Sequence, residues 1–477
     1  MPRKPALLLS LLNLMLKPIA RQTSIQSNQL LALPQHPPPH DHAAWRIYWQ
    51  AQDQPWRTEP EIDVKRQEYL SVRRAISPNI QQGIYPFQQV KLNRADIEWL
   101  LSTHENGHGP VDWSDECQRE REGIDLRGAD IQHVNLSYLP LAGLRGGLTW
   151  NERNEATQDQ RKKAQMQMVG ANLFGTQLQG ANLREAQLQE ADLRQADLQK
   201  ADLRRACLEK SDLRGAQLRQ ADLRGALLQE ADLRQARLQE ANMKGVRLEK
   251  TDLRNILFSD PWHSAPMCAD VLWESIYLSG IQWSQVRMLG DEHEARKSKH
   301  KGKRKNKALR LSEYETAVRA NRQLAIALQQ QGLNEEASRF AYRAQCLQRR
   351  VFWLEIVQPR AKLKQKGQMC SAWLFSWFLY LIAGYGYQPS RSFLAYFLVI
   401  ASFATAYYLL GYTVGPELSP LGALVFSMTS FHGRGFFPGT TVSLDDPLTV
   451  LAALEALVGL ITEVTFIATL TQRFFNR

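Results

Sequence analysis

Residues 171–210 read ANLFGTQLQGANLREAQLQEADLRQADLQKADLRRACLEK, and one residue type recurs in them at every fifth position. From Leu173 to Leu253 that residue is Leu at sixteen of seventeen positions, and Met243 occupies the other. The residue two positions earlier is always small, with Ala at thirteen positions and Thr, Ser or Val at four. Helices and strands repeat about every 3.6 and about every 2 residues, so the pattern predicts a different, stacked fold with large and small side chains alternating inward.

The motif A-(D/N)-L-x-x, present as ADLRQ, ADLQK and ADLRR, resembles the pentapeptide-repeat family. The resemblance implies a right-handed quadrilateral β-helix with four repeats per coil, in which residues twenty positions apart stack at a spacing of about 4.8 Å. Weaker coils with the same period flank the run, one at Leu126, Ile131, Leu136 and Leu141 and one at Val271, Ile276, Ile281 and Val286. We therefore expect a β-helix over residues 124–290 with an insertion at residues 145–168.

Stacking determines which charged residues meet on the outside of the coils. One column alternates in sign and predicts a ladder of salt bridges; it consists of Glu190, Lys210, Glu230 and Lys250. Another column is like-charged, beside aspartates two positions earlier; it consists of Arg194, Arg214, Arg234 and Arg254. These arginines form either an interaction surface for an anionic partner or a solubilising face that the aspartates neutralise. Residues 169–258 hold fifteen Lys/Arg and thirteen Asp/Glu, so this surface does not mimic DNA.

Composition limits the remaining architecture. At 477 residues the chain is too long for one core, and this length is typical of about three domains. The mean hydropathy of −0.39 restricts any membrane part to a local segment. Nine Lys/Arg of the basic excess fall in residues 296–310. The five cysteines lack a C-x-x-C pair, which is typical of reduced thiols in a cytosolic body.

The N-terminal part predicts two segments. Residues 1–44 begin with an apolar stretch, residues 6–16, that is too short to span a bilayer and is either interfacial or a signal peptide. Residues 45–123 predict a small, mostly helical domain, similar to one that precedes the repeats in bacterial pentapeptide-repeat proteins. Metal-ligand residue types occur in it at His104, Glu105, His108 and Asp112. Their spacing and context do not suit a zinc site, so we expect neither metal nor cofactor.

Two segments connect the β-helix to the C-terminal part. Residues 291–310 predict a disordered basic linker, whose cations suit anionic lipid headgroups at about 1 kcal/mol each near the surface. Nucleic acid is a poorer partner, because no aromatic residues interleave. Residues 311–358 show two helical stretches separated by Gly332 and Asn334, which is typical of an αα-hairpin. We expect this hairpin to pack on the repeats or on other subunits.

The membrane part lies at residues 389–477, with predicted spans at residues 393–410 and 448–471. Basic residues flank the two spans and only Arg434 lies between them. The positive-inside rule therefore places both termini in the cytoplasm, for a multi-pass protein of the cell inner membrane. Within residues 359–388, the aromatic-rich stretch 373–382 is too short to span and predicts a juxtamembrane, interfacial helix.

Between the spans, residues 421–439 read LGALVFSMTSFHGRGFFPG: an apolar segment long enough for a short helix, then glycines at alternate positions. With Gly459 in the second span, this layout resembles the two-helix, pore-loop module of potassium channels. The resemblance implies a homotetramer whose filter is formed by Ser430, Phe431, His432, Gly433, Arg434, Gly435 and Phe436. Potassium selectivity does not follow, because the filter of those channels reads T-V-G-Y-G.

Charged residues in this module leave two readings open. Arg434 and His432 near a shared axis would repel cations and favour anions; alternatively, Arg434 points behind the filter and pairs with Glu455. Glu455 and Glu463 are ionisable residues inside an apolar span, which marks them as functional candidates that line the pore or support the filter. Phe436 either anchors the loop or contributes to a hydrophobic gate.

Taken together, the sequence predicts a multidomain ion channel: a β-helix, a small helical domain, an αα-hairpin and a two-helix pore module. Its expected partners are membrane lipid, further copies of the chain, inorganic ions and an unidentified cytosolic ligand or protein. The alternative is a non-conducting, membrane-anchored interaction scaffold. The sequence contains neither a phosphate-binding glycine loop nor a nucleophile with its base, so we expect no enzyme and no catalytic residue.

Overall fold

The computed structural model describes residues 36–300, 302–357, 363–411, 418–433 and 447–474, so the apolar stretch at residues 6–16 lies outside the described part. The chain divides into two compact units, Met1–Pro60 and Glu61–Arg477. The first contains helix α1 (His42–Ala51). Trp45 and Trp49 of α1 are buried, and the Arg57 guanidinium lies 3.4 Å above the Trp49 ring.

The second unit combines a β-helix with α-helices at its ends. The helices are α2 (Val64–Arg74), α3 (Arg94–Ser102), α4 (Trp150–Glu155), α5 (Gln158–Ala164), α6 (Gly290–Arg296), α7 (Lys307–Gln330), α8 (Asn334–Ile356), α9 (Leu363–Ala383), α10 (Pro389–Gly411), α11 (Pro420–Phe431) and α12 (Pro447–Phe474). Short 3₁₀ segments are His104–Gly107, Glu116–Gln118, Leu278–Gly280, Trp283–Gln285 and Gly384–Gly386. Strands β1 (Lys299–His300) and β2 (Lys303–Arg304) form an antiparallel hairpin.

The coils of the β-helix follow from the five-residue period. Parallel bridges join residues twenty positions apart, as from Asn182 to Asp202 and from Asp202 to Asp222, so one coil holds four repeats. The Leu or Met at every fifth position from Leu173 to Leu253 is at most 1% exposed. The alternating large and small residues therefore fill the interior, as predicted, while the handedness stays a prediction.

Every corner of a coil is a turn that the repeat encodes. The small residue donates its N–H to the carbonyl of the preceding Leu, as from Ala186 to Leu183 at 3.1 Å. The residue just before the small one adopts a positive φ, for example 69° at Gly215 and 58° at Lys210. A positive φ at this position is typical of a type II turn and favours Gly, so the non-glycine residues there carry backbone strain.

Residues from Glu61 onward close the N-terminal end of the β-helix. Lys91 forms a parallel bridge with Asp130, and Leu92 donates its N–H to the Asp130 carbonyl at 3.0 Å. The division after Pro60 falls inside the predicted 45–123 domain, because the chain beyond it pairs with the first coil. The predicted insertion contains α4 and α5, each opened by a capping box, Thr149 with Glu152 and Thr157 with Gln160.

The C-terminal end of the β-helix is covered by α6, α7 and α8. Asp291 of α6 accepts a hydrogen bond from the Cys268 backbone N–H at 2.5 Å. Arg343 of α8 pairs with the buried Glu292 at 3.0 Å, and Arg339 donates to the Trp283 carbonyl. The α7–α8 hairpin is thus bonded directly to the last coil.

The basic segment before α7 is folded, in contrast to the disorder predicted from its charge. It contains the β1–β2 hairpin, and the ammonium group of Lys305 is fully buried. Lys305 bonds to the carboxylates of Glu294 and Glu313 at 3.2 and 2.7 Å. The prediction failed because it considered repulsion within the tract and not the carboxylates on α6 and α7.

Three helices are long and apolar enough to cross a membrane: Lys366–Gly386, Pro389–Leu410 and Pro447–Thr471. The sequence predicted two spans and an interfacial helix limited by the apolar stretch 373–382. Helix α9 instead has 21 residues, because it continues through the polar residues on the N-terminal side of that stretch. By length and composition, α9 is therefore also able to cross a membrane, and the number of crossings stays a prediction.

Candidate functional site

The candidate site lies where α10, α11 and α12 meet. Helix α11 is capped at its N-terminus by Ser419, whose hydroxyl accepts the Gly422 N–H at 3.1 Å, with Pro420 at the first position of the helix. Its twelve residues are mostly apolar, yet at about 1.5 Å per residue they extend only about 18 Å. Tyr407, Phe426 and Ala452, one from each helix, share a buried cluster. Helix α11 is therefore a short apolar helix packed between two helices of spanning length.

Glu455 is the buried polar centre of this junction, with a side chain from α12 that has no exposed surface. Tyr407 on α10 donates its hydroxyl to Glu455 Oε2 at 2.6 Å. Ser427 Oγ on α11 lies 2.5 Å from Glu455 Oε1 and 2.9 Å from the Ile400 carbonyl. One carboxyl group thus connects all three helices.

Every hydrogen bond around Glu455 has one donor and one acceptor when the Glu455 carboxyl is protonated. A serine hydroxyl has a single proton, and the Ile400 carbonyl can only accept it. Glu455 then donates its own proton to Ser427 Oγ and accepts from Tyr407. A buried carboxylate without a cation is costly, and its partners among the described residues are these two hydroxyls. The geometry therefore favours the neutral acid.

A close backbone contact lies one turn further along α12. A Cβ added at Gly459 would overlap the carbonyl oxygen of Phe431, the last residue of α11. Glycine is needed here because no side chain fits between the two backbones. The predicted site residues Gly459 and Phe431 are therefore brought together, at the point where the chain leaves α11.

The other predicted filter residues are only partly described. His432 donates from Nδ1 to the Met428 carbonyl at 2.8 Å, and its Nε2 shares a hydrogen bond with the Tyr396 hydroxyl at 3.1 Å. Ser430 Oγ is buried without a hydrogen-bond partner among the described residues, and Gly433 has a φ of 69°. Arg434, Gly435 and Phe436 lie outside the described residues.

Glu463 lies two turns beyond Glu455 on α12. Its side chain is half-buried, unlike that of Glu455. The two predicted acids are therefore not equivalent: one is enclosed by the three-helix junction, and the other reaches its edge.

Helix α9 packs against the polar helix α8 with its aromatic face. The Arg349 guanidinium of α8 lies 4.2 Å from the Trp377 ring and 4.1 Å from the Tyr380 ring. Trp353 of α8 stacks near Trp373, with ring centroids 5.4 Å apart. A neighbouring face of α9 is exposed and apolar, with Leu374 and Leu381 at 57% and 62% exposure. This helix therefore has one protein-facing aromatic side and one apolar outer side.

The predicted arginine column on the β-helix is neutralised in place. Each arginine forms a forked pair with the aspartate two positions earlier, as Arg214 does with Asp212 at 2.6 Å. Arg214 also reaches Asp232 of the next coil at 3.6 Å. The same forked pair holds at Arg194, Arg234 and Arg254. This geometry favours the solubilising interpretation over an anion-binding strip.

The column of alternating charge on the β-helix forms only part of the predicted salt-bridge ladder. Lys250 and Glu230 pair at 3.5 Å, and among the described residues this is the one ion pair within the column. The predicted ladder is incomplete because these residues occupy exposed turn positions. Their side chains point into water there and are not held close to one another.

Two clusters with metal-ligand residue types have other partners. His104 Nε2 lies 2.9 Å from the Glu122 carbonyl, and His108 Nδ1 lies 2.6 Å from the Glu105 carbonyl. Glu294, His300 and Glu313 are close enough to share an ion, but the ammonium of Lys305 already bonds to both carboxylates. Burial opposes the charge of Glu294, yet Lys297 and Lys305 outweigh it and lower the pKa of this carboxyl to about 2.

Sequence comparison bears on the coils. The family model "Pentapeptide repeats (8 copies)" matches the chain twice, at residues 176–215 and at residues 216–255. These residues are pentapeptide repeats. A comparison with curated proteins found no match.

Several solved pentapeptide-repeat structures are similar to part of the chain. One, from the cyanobacterium Cyanothece, is 24% identical and covers 33% of this chain and 94% of its own, with a TM-score of 0.15. HetL from the cyanobacterium Nostoc is 22% identical over 33% and 82%, with a TM-score of 0.12. A protein of the Arabidopsis thaliana thylakoid lumen is 21% identical over 28% and 69%, with a TM-score of 0.13. The chain combines such repeats with three membrane-type helices.

Sequence reasoning missed the partners that hold the site together. Tyr407, Ser427 and Arg349 were not singled out, because each stands in a stretch whose composition is ordinary for its helix. A signal was present for Tyr407 and Ser427: a buried acid in an apolar helix requires hydroxyl or amide partners on its neighbours. No comparable signal pointed to Arg349, since its ring partners lie on a helix whose packing the sequence does not specify.

Proposed function

We propose that the protein is a homotetrameric ion channel of a bacterial inner membrane, with the pentapeptide repeats forming a cytosolic sensor or scaffold. The observation that supports this most is α11, a twelve-residue apolar helix held between two helices of spanning length. A helix that short reaches only part of the way through a hydrocarbon core of about 30 Å. Re-entrant segments of this kind occur where they are buried in protein or line a water-filled path.

The proposed topology has two crossings, α10 and α12, with α9 along the cytosolic interface. Arg349 of α8 contacts the rings of Trp377 and Tyr380, in the second half of the span-length segment Lys366–Gly386. A crossing α9 would carry this guanidinium into the hydrocarbon, which costs several kcal/mol. An interfacial α9 keeps Arg349 near water and its aromatic rings at headgroup depth. Both termini then lie in the cytoplasm.

The proposed pore favours anions. Glu455 already has two hydroxyl partners, Ser427 and Tyr407, so it does not require Arg434 as a counter-ion. This arrangement supports the reading in which Arg434 faces the shared axis. Four guanidinium groups there would repel cations and attract anions.

The test is a planar-bilayer recording of the purified protein in unequal KCl. We expect a reversal potential near that of chloride, and a shift toward the potassium potential in Arg434→Ala. Arg434→Lys is the matched control, since it keeps the charge and should keep the anion preference. An unchanged reversal potential in Arg434→Ala would disprove the role of this side chain at the axis.

A non-conducting membrane scaffold is the second candidate. It is supported by the departure from T-V-G-Y-G and by repeat surfaces whose arginines are neutralised by neighbouring aspartates. The mass of the purified protein in detergent separates the two candidates. A monomer, or absence of current across lipids and voltages, would favour the scaffold and an unidentified cytosolic protein partner.

A further inference from the structure

A cavity of about 660 Å³ lies between the helical hairpin and the membrane-type helices. Its walls come from α7, α8, α9, α12 and the Gly384–Gly386 turn. This volume falls within the range of sites that hold small molecules, about 300–1,000 Å³. It also lies apart from the Glu455 junction, none of whose three hydrogen-bonded side chains lines it.

The walls of the cavity are mostly apolar, even where the sequence reads as polar. Thr465 and Thr469 bond to carbonyls of their own helix at 2.9 and 2.7 Å. Ser376 shares a hydrogen bond with the Tyr385 hydroxyl at 2.8 Å. Because these hydroxyls are occupied within the protein, they offer a ligand mainly carbon surface, beside the side chains of Phe352 and Leu379.

One end of the cavity is cationic. None of the fourteen lining residues is acidic, and Arg322 is the one charged residue among them. Its guanidinium is oriented by Gln348, whose Oε1 accepts a hydrogen bond at 3.1 Å. An arginine has five N–H donors, so most of the donors of Arg322 remain for an anionic group.

Some of the lining residues are exposed on the outer side of α9 and α12. Phe375, a lining residue on α9, is 61% exposed, and Ala468 on α12 is exposed as well. A ligand could therefore enter with its carbon chain from the lipid side and keep its head near Arg322.

We propose that this cavity binds a single-chain anionic amphiphile, with the chemistry of a long-chain fatty acid. The carboxylate pairs with Arg322 at the cytosolic hairpin, and the acyl chain lies against α9 and α12. The bound amphiphile contacts both the α7–α8 hairpin and the C-terminal half of α12. This hairpin is the one bonded to the pentapeptide repeats. This site goes beyond the proposed conduction, since its occupancy can be measured whether or not the pore conducts.

A photoreactive palmitate carrying a diazirine tests the site on the purified full-length protein in detergent. We expect the label on peptides of α8, α9 and α12 that line the cavity, with competition by palmitate stronger than by hexadecanol. Ala372→Trp and Ala468→Trp each fill the cavity and should reduce the labelling at least tenfold. Leu374→Trp is the matched control on the outer face of α9 and should label like the unmodified protein.

The head-group assignment has its own variant. Arg322→Gln should weaken competition by palmitate about fivefold, as expected for an exposed charge pair, and leave competition by hexadecanol unchanged. Size-exclusion elution identifies any variant that misfolds. If one of the two tryptophan variants misfolds, the other provides the test of cavity filling. Labelling spread over the apolar faces and insensitive to both tryptophans would overturn the proposal. So would cross-linking of Ala468→Cys between copies without palmitate labelling, because a second chain would then fill the cavity.

Discussion

Replacing Glu455 is the sharpest test of the three-helix junction. Glu455→Leu keeps the approximate side-chain volume and removes both carboxyl oxygens. Ser427 retains the Ile400 carbonyl at 2.9 Å, but the Tyr407 hydroxyl, which is completely buried, loses its acceptor. Leaving one buried donor unpaired costs about 1–3 kcal/mol, and we expect the free energy of unfolding to fall by that amount.

Glu455→Gln should behave differently if the acid is neutral. The amide carbonyl can accept from Tyr407, and the amide nitrogen can donate to Ser427, so both bonds of 2.6 and 2.5 Å have replacements. We expect a loss below about 1 kcal/mol, because one neutral donor replaces another. An ionised Glu455 would instead lose two charge-assisted bonds, each worth about 1.5–3 kcal/mol.

The assay is chemical unfolding of the full-length protein in detergent micelles, followed by tryptophan fluorescence. Tyr407→Phe is the paired control. It removes the hydroxyl donor itself, so no buried donor is left without an acceptor, and the free energy of unfolding should fall less than in Glu455→Leu. If Glu455→Gln were as destabilising as Glu455→Leu, the assignment of a neutral acid would be refuted. Bilayer conductance of the same variants then shows whether the junction holds the region after α11 in place.

Three further outcomes are expected. Gly459→Ala should lower stability by about 1–3 kcal/mol, because its Cβ overlaps the Phe431 carbonyl; thermal unfolding in detergent measures this, and an unchanged midpoint would contradict the contact. Gly215→Ala should cost about 1 kcal/mol through its φ of 69° alone, whereas Lys210→Ala, already non-glycine at such a corner, should be neutral in denaturant unfolding. The depressed pKa of Glu294, about 2 against an ordinary 4.5, contributes stability that is complete above pH 4.5 and is lost as the pH falls toward 2. Glu294→Gln should remove that part of the acid-induced loss in a pH titration of the unfolding midpoint, and an unaltered titration would argue against the ion pairs with Lys297 and Lys305.

The repeat region could be predicted from sequence because its constraint is local and recurs. Each small residue two positions before a Leu determines one corner, and the same corner recurs through the run, so a single misread position does not alter the fold. The neutralised arginines follow from the same register: an aspartate two positions before an arginine lies on the same side of the coil, as Asp212 and Arg214 do at 2.6 Å.

The helices could be predicted only where a segment was apolar enough, or periodic over enough residues, to identify a helix. Composition located α10, α11 and α12, because lipid-type helices differ from all other segments in hydropathy. It did not reveal that Lys305 would be buried between Glu294 and Glu313, since those contacts depend on how α6 and α7 dock. The length of α9 was missed because the helix begins in the polar residues before the apolar stretch 373–382.

The contacts between the repeats and the helical hairpin hold α8 at the end of the coils. Glu292 of α6 is 1% exposed and pairs with both Arg343 and Arg296. Because a buried carboxylate is costly without its cations, these pairs hold α8 against α6 at the end of the coils. Further along α8, Arg349 lies between two rings of α9. Arg349 and its two rings are therefore a described contact that links α8, and through it the end of the coils, to α9.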